Sequence, residues 1–504
     1  MKTNTRNYIY FYLNGTPVKL SGPQVFLSVS DYLRYEKNIP GTKVVCAEGD
    51  CGACTALIAK PEQYLLSKSK TSSTIKKNLE NIFTTINTCI YRMYQLDGCH
   101  LVTIEGLRYP DRLHVAQQAL IDKFGSQCGY CTPGFVASMV YLLEQSKLKQ
   151  EPITEKTAKN FLTGNLCRCT GYQSIIDACT SMQGEFETSL ADRYMNHDTI
   201  KHLSENLKTP VYIEEGHQSV YLPITLEQAI GYRVAYPNTR LTAGGSDLGV
   251  LINKGKIQQH TLMSLQNIPE QNRIEVLDTQ IKIGSRVTLA EIENKLGNEL
   301  PELCRLIRIF ASPQIKHTAT LVGNVMNASP ISDTTPFLMV AEANLEILTS
   351  NGVYLLNINE LFLGYKKLNL APTDIVIGIH IPRSRHTFKV FKTSVRKDLD
   401  IAIVNLAVAY ELSSQKDNAQ NSMTDLIMQS FRIAIGGVGP TVIRQTEVEN
   451  YLSGREFQWT YFETAADILE KHITPITDVR ATADYRKMVS KNLLKKVYLE
   501  SGLA

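Results

Sequence analysis

Apolar positions fall into short strand-like runs near the N-terminus, into helical periodicity from about residue 112, and back into strands beyond Tyr221. Tyr8–Leu13, then Asn14-Gly15, then Val18–Leu20 predicts a β-hairpin with Asn-Gly as its turn. Ser30–Lys37 fits a short helix, and Thr55–Ala59 reads as a strand. Pro61 to Glu80 is polar and predicts a surface insertion. Leu113–Phe124 reads as a helix closed by Gly125 at the C′ position. Thr132 is expected to cap a second helix with Pro133 at its first position, and Phe135, Val136, Met139, Val140 and Leu143 share one face. A third helix runs from a Thr154 cap to Gly164, and Tyr172–Thr180 makes a fourth.

Residues 182 to about 216 are polar and weakly periodic, and they predict an interdomain linker. Beyond it, Arg240–Ala243, Ile281–Ile283, Leu345–Leu348 and Ile375–Ile379 read as strands between helical stretches such as Ala290–Leu296. Phe388 to Ala504 holds three apolar strands (Phe388–Phe391, Ile401–Glu411, Phe431–Gly436) and then two helices. A chain of 504 residues exceeds one hydrophobic core. The expected class is therefore α+β multidomain, divided at 1–95, 96–185, a linker 186–215, 216–385 and 386–504.

Composition narrows this little. Hydrophobic residues make up 43% and charged residues 20%, as in ordinary globular proteins. Lys and Arg exceed Asp and Glu by only four, with no basic stripe, so no nucleic-acid partner is expected. No apolar leader follows Met1–Asn7, and the most apolar run, Ile401 to Leu412, is too short to span a bilayer. No membrane association and a cytoplasmic location are expected. There, clustered cysteines are more often metal ligands or redox centres than disulfides.

The cysteines change the picture. Ten of eleven lie between Cys46 and Cys179, and Cys304 stands alone. Cys46, Cys51 and Cys54, spaced by four and then two residues and closed by the distant Cys89, match the plant-type spacing for a 2Fe–2S cluster. One loop must aim three sulfurs inward, and Gly49 and Gly52 permit that wrapping. Zinc is the alternative, although this spacing is unusual for it. A second set, Cys128, Cys131, Cys167 and Cys169, lies in connections between helices. Alone it suits a four-cysteine zinc site equally well; the neighbouring ferredoxin-like loop favours a second cluster. Cys179, Cys99 and Cys304 read as buried hydrophobes.

Leu241, Thr242, Ala243, Gly244, Gly245, Ser246, Asp247 and Leu248 follow a strand and open a helix. Amides in such a turn can cradle a pyrophosphate, although Gly-Gly turns are common. Ala319 to Asp333 is rich in small and polar residues, among which Asn324, Asn327 and Asp333 could bond ribityl or phosphate-adjacent groups; a surface loop with capping residues is the alternative.

The stretches CAEGDCGACT (46–55), INTCIYRMYQLDGCHLVTIEGL (86–107), SQCGYCTPGF (126–135) and LTGNLCRCTGYQSI (162–175) resemble the paired 2Fe–2S domains of the molybdenum hydroxylases. Order, local sequence and both spacings agree. The resemblance implies a β-grasp ferredoxin-like domain, a four-helix 2Fe–2S bundle, an α+β FAD-binding domain and a C-terminal α/β domain. It makes Cys89 rather than Cys99 the fourth ligand, and it places Gln127 beside the pterin of a molybdenum cofactor. The two flavin segments resemble the family's FAD domain, which adds Phe310, Thr320 and Gly323 to the flavin contacts. Val322 and Lys316-His317 depart from its usual Gly and Arg-Asn. FKTSVRKDLDI (391–401), Arg432–Gly437 and 474–498 resemble the C-terminal domain that follows FAD.

What remains of the chain is shorter than the family's molybdopterin domains. The resemblance therefore implies an electron-transfer subunit, paired with a molybdopterin-binding large subunit in a heterotetramer. Fusion of the iron–sulfur and FAD parts on one chain favours the xanthine-oxidising type over carbon monoxide, aldehyde or N-heterocycle types. Electrons would leave a partner's molybdenum centre through the Cys128 set, the Cys46 set and FAD, to NAD as acceptor. A stand-alone iron–sulfur flavin carrier is the other reading. No residue of this chain is expected to act as a catalytic acid or base.

Overall fold

A computed structural model describes residues 4–61, 82–182, 188–257, 260–414 and 426–501. The expected polar insertion lies outside the described residues from residue 62 to its end. The chain divides into two compact units, one of residues 1–272 with 312–319, the other of residues 273–311 with 320–504.

The first unit opens with a five-stranded sheet in the order β2-β1-β5-β3-β4, from β1 (Ile9–Leu13), β2 (Thr16–Leu20), β3 (Thr55–Ala59), β4 (Phe83–Asn87) and β5 (His100–Val102). The β1–β2 turn is the Asn14-Gly15 pair, both at positive φ (49° and 84°), and Leu13 pairs Thr16. Two such residues match the right-handed twist of a two-residue hairpin. β1 and β5 run parallel while the other pairs are antiparallel, the arrangement of a β-grasp sheet.

Four helices follow: Val115–Asp122, Thr132–Lys149, Glu155–Leu162 and Gln173–Ser181. Thr154 caps the third, its hydroxyl accepting from the Thr157 amide. Two local expectations need correction. Thr132 is the first residue of its helix, with Cys131 at the cap, and its hydroxyl meets that of Ser126. At the end of the first helix the left-handed residue is Phe124, φ 53°, not Gly125. A Cβ on Gly125 would meet Leu120 Cδ2 at 2.4 Å, so the glycine lets that side chain pack close.

From residue 188 onward, the stretch expected as a linker, 186–215, is folded. Helices Leu190–Tyr194 and His197–Asn206 lead into strand β6 (Val211–Glu215). Leu190, Ala191, Met195 and Leu203 are buried in the core of the helical bundle. Arg193 donates to the carbonyls of Gly106, Leu107 and Arg108. Its weak periodicity hid four apolar anchors spread over two short helices, which polar composition alone does not reveal.

A four-stranded sheet, β6-β7-β9-β8, adds β7 (Gln218–Leu222), β8 (Arg240–Thr242) and β9 (His260–Ser264). Its Val211, Ile213, Val220, Leu222 and Leu262 share one core with Ile9, Phe11 and Leu101 of the first sheet. This shared core is why the start of the expected 216–385 domain lies in the first unit. A buried ion pair tightens the join: Arg6 donates through two nitrogens to Asp97 (3.0 and 2.8 Å), and Asp97 also accepts from Asn267 at 2.8 Å.

The second unit contains a five-stranded antiparallel sheet of Ile274–Val276, Gln280–Gly284, Ile375–Pro382, Asn344–Thr349 and Gly352–Asn357, in that order. Its second sheet is also antiparallel: Thr387–Thr393, Val404–Ser414, Leu426–Gly436 and the short Ile443–Arg444. Three helices, Thr446–Leu452, Trp459–Lys471 and Ala483–Leu499, supply Val448, Phe462, Leu469, Leu494 and Val497 to a core with Leu406, Val408 and Ile433. The sequence pattern predicts only the two longer helices, because the first is a seven-residue segment. No described helix is long and apolar enough to cross a membrane.

Candidate functional site: two thiol sets and a glycine turn

The loop before β3 carries Cys46, Cys51 and Cys54, and the loop after β4 brings in Cys89. Ala47, Gly49 and Gly52 take positive φ (56°, 82° and 66°), which curls the loop inward. The four thiols lie near enough to shift one another's pKa, Cys46 with Cys51 and Cys89, and Cys54 with Cys89. The neighbouring Cys51 draws the Cys46 thiol below the ordinary value, and Cys89 does the same for Cys54. Cys51 and Cys89 are pushed up, first by the neighbouring Cys46. Cys99 stands apart, its sulfur directed to the carbonyls of Gln95 and Asp97.

The second set also falls into pairs. The Cys128 and Cys169 sulfurs lie 3.6 Å apart, and Cys131 and Cys167 lie near enough to shift each other's pKa. Cys128 and Cys169 are exposed, and burial pushes the Cys131 thiol up to about 12. Gln127, beside Cys128, is exposed as well.

Two iron atoms each need two protein thiolates besides the bridging sulfides. Both sets supply thiols two and two, so their donor chemistry fits a 2Fe–2S group. Among the described residues, no three His, Cys, Asp or Glu side chains are placed to hold a single metal ion. Metal binding would require all four thiols of a set to be deprotonated. Cys179 and Cys304 are fully buried in cores, where burial pushes their thiols up to about 12 and about 11.

The thiol loops meet directly. The Leu166 amide, next to Cys167, donates to the Cys51 carbonyl at 2.9 Å, and Asn165 Nδ2 donates to the Gly52 carbonyl at 3.1 Å. A Cβ on Gly52 would lie 2.2 Å from the Gly164 carbonyl, so the approach requires glycine. Gln314 Nε2, buried, donates to Thr55 Oγ1 (3.1 Å) and Asn165 Oδ1 (3.0 Å).

In the same unit, Leu241 and Thr242 end β8, and Ala243, Gly244 and Gly245 turn into the helix Ser246–Asn253. Asp247 is exposed on that helix and Leu248 is buried beneath it. Gly245 has φ 70°. A Cβ on Gly244 would lie 1.7 Å from the Thr318 carbonyl. Gln95 Nε2 braces the turn through the Gly244 carbonyl at 3.1 Å. This bare turn at a helix N-terminus fits a pyrophosphate.

The second flavin segment belongs to the other unit. Thr320 caps the helix Leu321–Met326, accepting from the Gly323 amide at 3.0 Å. Asn324 Oδ1 accepts from the Ser332 and Thr334 hydroxyls (2.8 and 2.6 Å). Asn327 Oδ1 accepts from Lys366 Nζ at 2.9 Å. Asp333 is buried, its carboxylate held by Lys392 at 2.8 Å and Asn405 at 3.1 Å. Burial raises its pKa while Lys392 opposes the rise. Both Asp333 oxygens are thus engaged within the protein. Lys392 Nζ also sits 5.7 Å from the ring centroid of half-buried Phe310.

Several contributors went unpredicted: Gln95, Gly249, Gln314, Lys392 and Asn405. One had a signal. Glycine inside a helix costs about 1 kcal/mol relative to alanine, and Gly249 sits inside one, so a close contact was indicated. A Cβ there would meet the Ile90 carbonyl at 2.1 Å.

Comparison with known proteins gives three family matches. They are a [2Fe-2S] binding domain over residues 103–180, an FAD binding domain in molybdopterin dehydrogenase over 215–384, and a CO dehydrogenase flavoprotein C-terminal domain over 389–501. The chain is 30% identical to a xanthine dehydrogenase of Oryza sativa subsp. japonica, over 92% of this chain and 37% of that protein. It is 29% identical to xanthine dehydrogenase 1 of Arabidopsis thaliana, over 97% of this chain and 39% of the relative. The chain therefore spans less than two fifths of the length of these relatives. Among solved structures, quinoline 2-oxidoreductase from Pseudomonas putida 86 matches with a TM-score of 0.51 and 20% identity, over 56% of this chain and 95% of that one. A Cu,Mo-CO dehydrogenase matches with a TM-score of 0.51 and 22% identity, over 56% and 98%. By its domain set and its relatives, the chain belongs to the molybdenum hydroxylase family, of which it represents the iron–sulfur and FAD portion.

Proposed function

We propose that this chain is the electron-transfer subunit of a xanthine dehydrogenase. Electrons from a molybdenum centre on a partner chain would pass through the Cys128 set, the Cys46 set and FAD to NAD, during oxidation of hypoxanthine and xanthine to urate. Each 2Fe–2S cluster would supply a one-electron site, and FAD would convert single electrons into a two-electron transfer to the nicotinamide. Cys46, Cys51, Cys54 and Cys89 would hold one cluster, and Cys128, Cys131, Cys167 and Cys169 the other. The Gly244-Gly245 turn would bind the FAD pyrophosphate, and the Thr320–Asp333 segment with Phe310 would line the flavin.

The observation that carries this reading is the Leu166–Cys51 hydrogen bond, which joins the two thiol loops through backbone. This chain's residues bind and orient the groups, and no side chain need move a substrate proton. Entry at the Cys128 set is supported by its surface: Cys128, Cys169 and Gln127 are exposed, with Phe124, Tyr130 and Leu166 exposed around them. Such a patch suits a protein partner.

The test is metal, sulfide and flavin analysis of the purified chain, followed by addition of the molybdopterin-binding chain. About four irons and four acid-labile sulfides per chain are expected, with released FAD and with xanthine-dependent NAD reduction only after the partner is added. Zinc in either thiol set overturns the cluster assignment. The second reading keeps the relay and changes the substrate, and it is favoured by the likeness to the quinoline and carbon monoxide enzymes. Turnover of an N-heterocycle, an aldehyde or carbon monoxide, but not of xanthine, would select it.

A further inference from the structure

The helix Ser246–Asn253 touches both halves of the proposed relay, and it does so through two side chains of one turn. Its last residue, Asn253, donates from Nδ2 to the carbonyls of Ala47 (2.8 Å) and Cys89 (2.9 Å). Ala47 lies in the Cys46 loop and holds φ 56°, while Cys89 is that set's distant member. Asn253 Oδ1 accepts from Arg92 Nη2 at 2.6 Å, and the same nitrogen donates to the Gly249 carbonyl at 3.0 Å. Arg92 is buried, and that burial lowers its pKa. Three residues on, Gln95 accepts from the Arg92 amide at 2.9 Å and donates to the Gly244 carbonyl at the opposite end of the helix. Val250, midway along, packs on Cys54, Cys89 and Ile90.

The helix is therefore held at both ends by residues 92 and 95, three and six positions after Cys89. An eight-residue helix spans about 12 Å and moves as one rigid body. Anything that shifts its Gly-Gly end is transmitted to Asn253, and from Asn253 to two carbonyls of the thiol loop. Loop geometry sets the hydrogen bonds that reach a cluster's sulfurs, and these tune its potential.

We propose that Asn253, oriented by Arg92, is a positioning residue that couples flavin occupancy of the Gly244-Gly245 turn to the potential of the cluster in the Cys46 set. The coupling is a regulatory property: the ferredoxin-like cluster would be poised for transfer only when the flavin is seated. It rests on the assignment of clusters and FAD above.

The experiment is an EPR-monitored redox titration of the full chain, FAD-replete and FAD-stripped, in wild type, Asn253→Leu and Asn253→Asp. Leu removes both donors, and Asp places an acceptor against two carbonyls. In wild type, stripping FAD is expected to change the oxidised-to-reduced ratio of one cluster at fixed potential by roughly tenfold, about 59 mV for a one-electron couple. The cluster of the Cys128 set should not move. In both variants that flavin-dependent shift should vanish with the iron count retained. A wild-type cluster indifferent to FAD overturns the proposal, as does a variant that keeps the full shift. If both variants lose iron, hydrogen exchange of residues 46–54 in wild type with and without FAD decides: greater protection with FAD supports the coupling, and equal exchange overturns it. Wild-type protein that binds no iron or no FAD fails the earlier assignment instead, and iron and flavin analysis shows this before any titration.

Discussion

The amide of Leu166 donates to the carbonyl of Cys51 across 2.9 Å, so a residue adjacent to one thiol set is hydrogen-bonded to a member of the other. Gly52 makes this possible, since any Cβ there would fall 2.2 Å from the Gly164 carbonyl. Gly52→Ala must push the loops apart and also place alanine at φ 66°, a strain of about 1–3 kcal/mol. We expect slower transfer between the clusters, measured by freeze-quench EPR after rapid reduction. A transfer rate equal to wild type would remove this contact from the route.

Cys89 and Cys99 differ in their surroundings. Cys46 and Cys54 lie near enough to Cys89 to raise its pKa, whereas Cys99 faces the carbonyls of Gln95 and Asp97. Cys89→Ser should alter or abolish one EPR signal and leave the other, while Cys99→Ser should leave both. The reverse pattern would assign the fourth ligand to Cys99.

Flavin binding at the glycine turn is tested most directly at Gly244, whose absent Cβ would overlap the Thr318 carbonyl at 1.7 Å. Gly244→Ala should lower FAD content at least tenfold, with iron unchanged. Gly245→Val places a side chain at φ 70° and should act in the same direction. Full FAD occupancy in both variants would place the pyrophosphate elsewhere.

Acid stability follows from three buried groups. Burial lowers the pKa of His100 and of His317 to about 3, so both are neutral in the folded protein. Burial raises Glu144 to about 7. An unfolded histidine titrates near 6.5, so between about 3 and 6.5 the unfolded chain binds more protons at both histidines. Their stabilisation is complete above about pH 6.5 and falls on acidification, by about 1.4 kcal/mol per pH unit for each. Glu144 has the opposite sign between about 4.5 and 7, where the folded form keeps its proton and offsets one histidine. Urea unfolding followed by circular dichroism should show a shallow loss of stability from pH 6.5 to 4.5 and a steeper one below. His317→Asn should flatten the acid limb; an unchanged slope would show that His317 is protonated in the folded state.

Removing one half of the Arg6–Asp97 pair should cost far more than a surface ion pair. Both side chains are buried, and Asp97 would be left without its cation. Arg6→Ala is expected to destabilise the chain by about 3–5 kcal/mol, measured as a lowered urea midpoint. A loss below about 1 kcal/mol, typical of exposed pairs, would mean that water reaches Asp97.

Local features were legible in the residues themselves. The Asn14-Gly15 hairpin, the Thr154 cap and the spacing of Cys46, Cys51 and Cys54 depend on residues a few positions apart, where backbone preference and side-chain reach decide the outcome. The resemblance extended that reading to Cys89 and to the flavin segments. Three features were decided by tertiary structure alone. Residues 186–215 read as a linker because their apolar anchors are sparse, yet Leu190, Ala191, Met195 and Leu203 find a preformed core. Residues 312–319 rejoin the first unit because Gln314 and His317 make buried hydrogen bonds to Thr55, Asn165, Thr85 and Tyr141. Asp333 is among the residues expected to line the flavin, and the cation that holds its carboxylate, Lys392, lies 59 residues away. In each case the partner lies far along the chain, and no local periodicity records which distant side chain will satisfy a buried polar group.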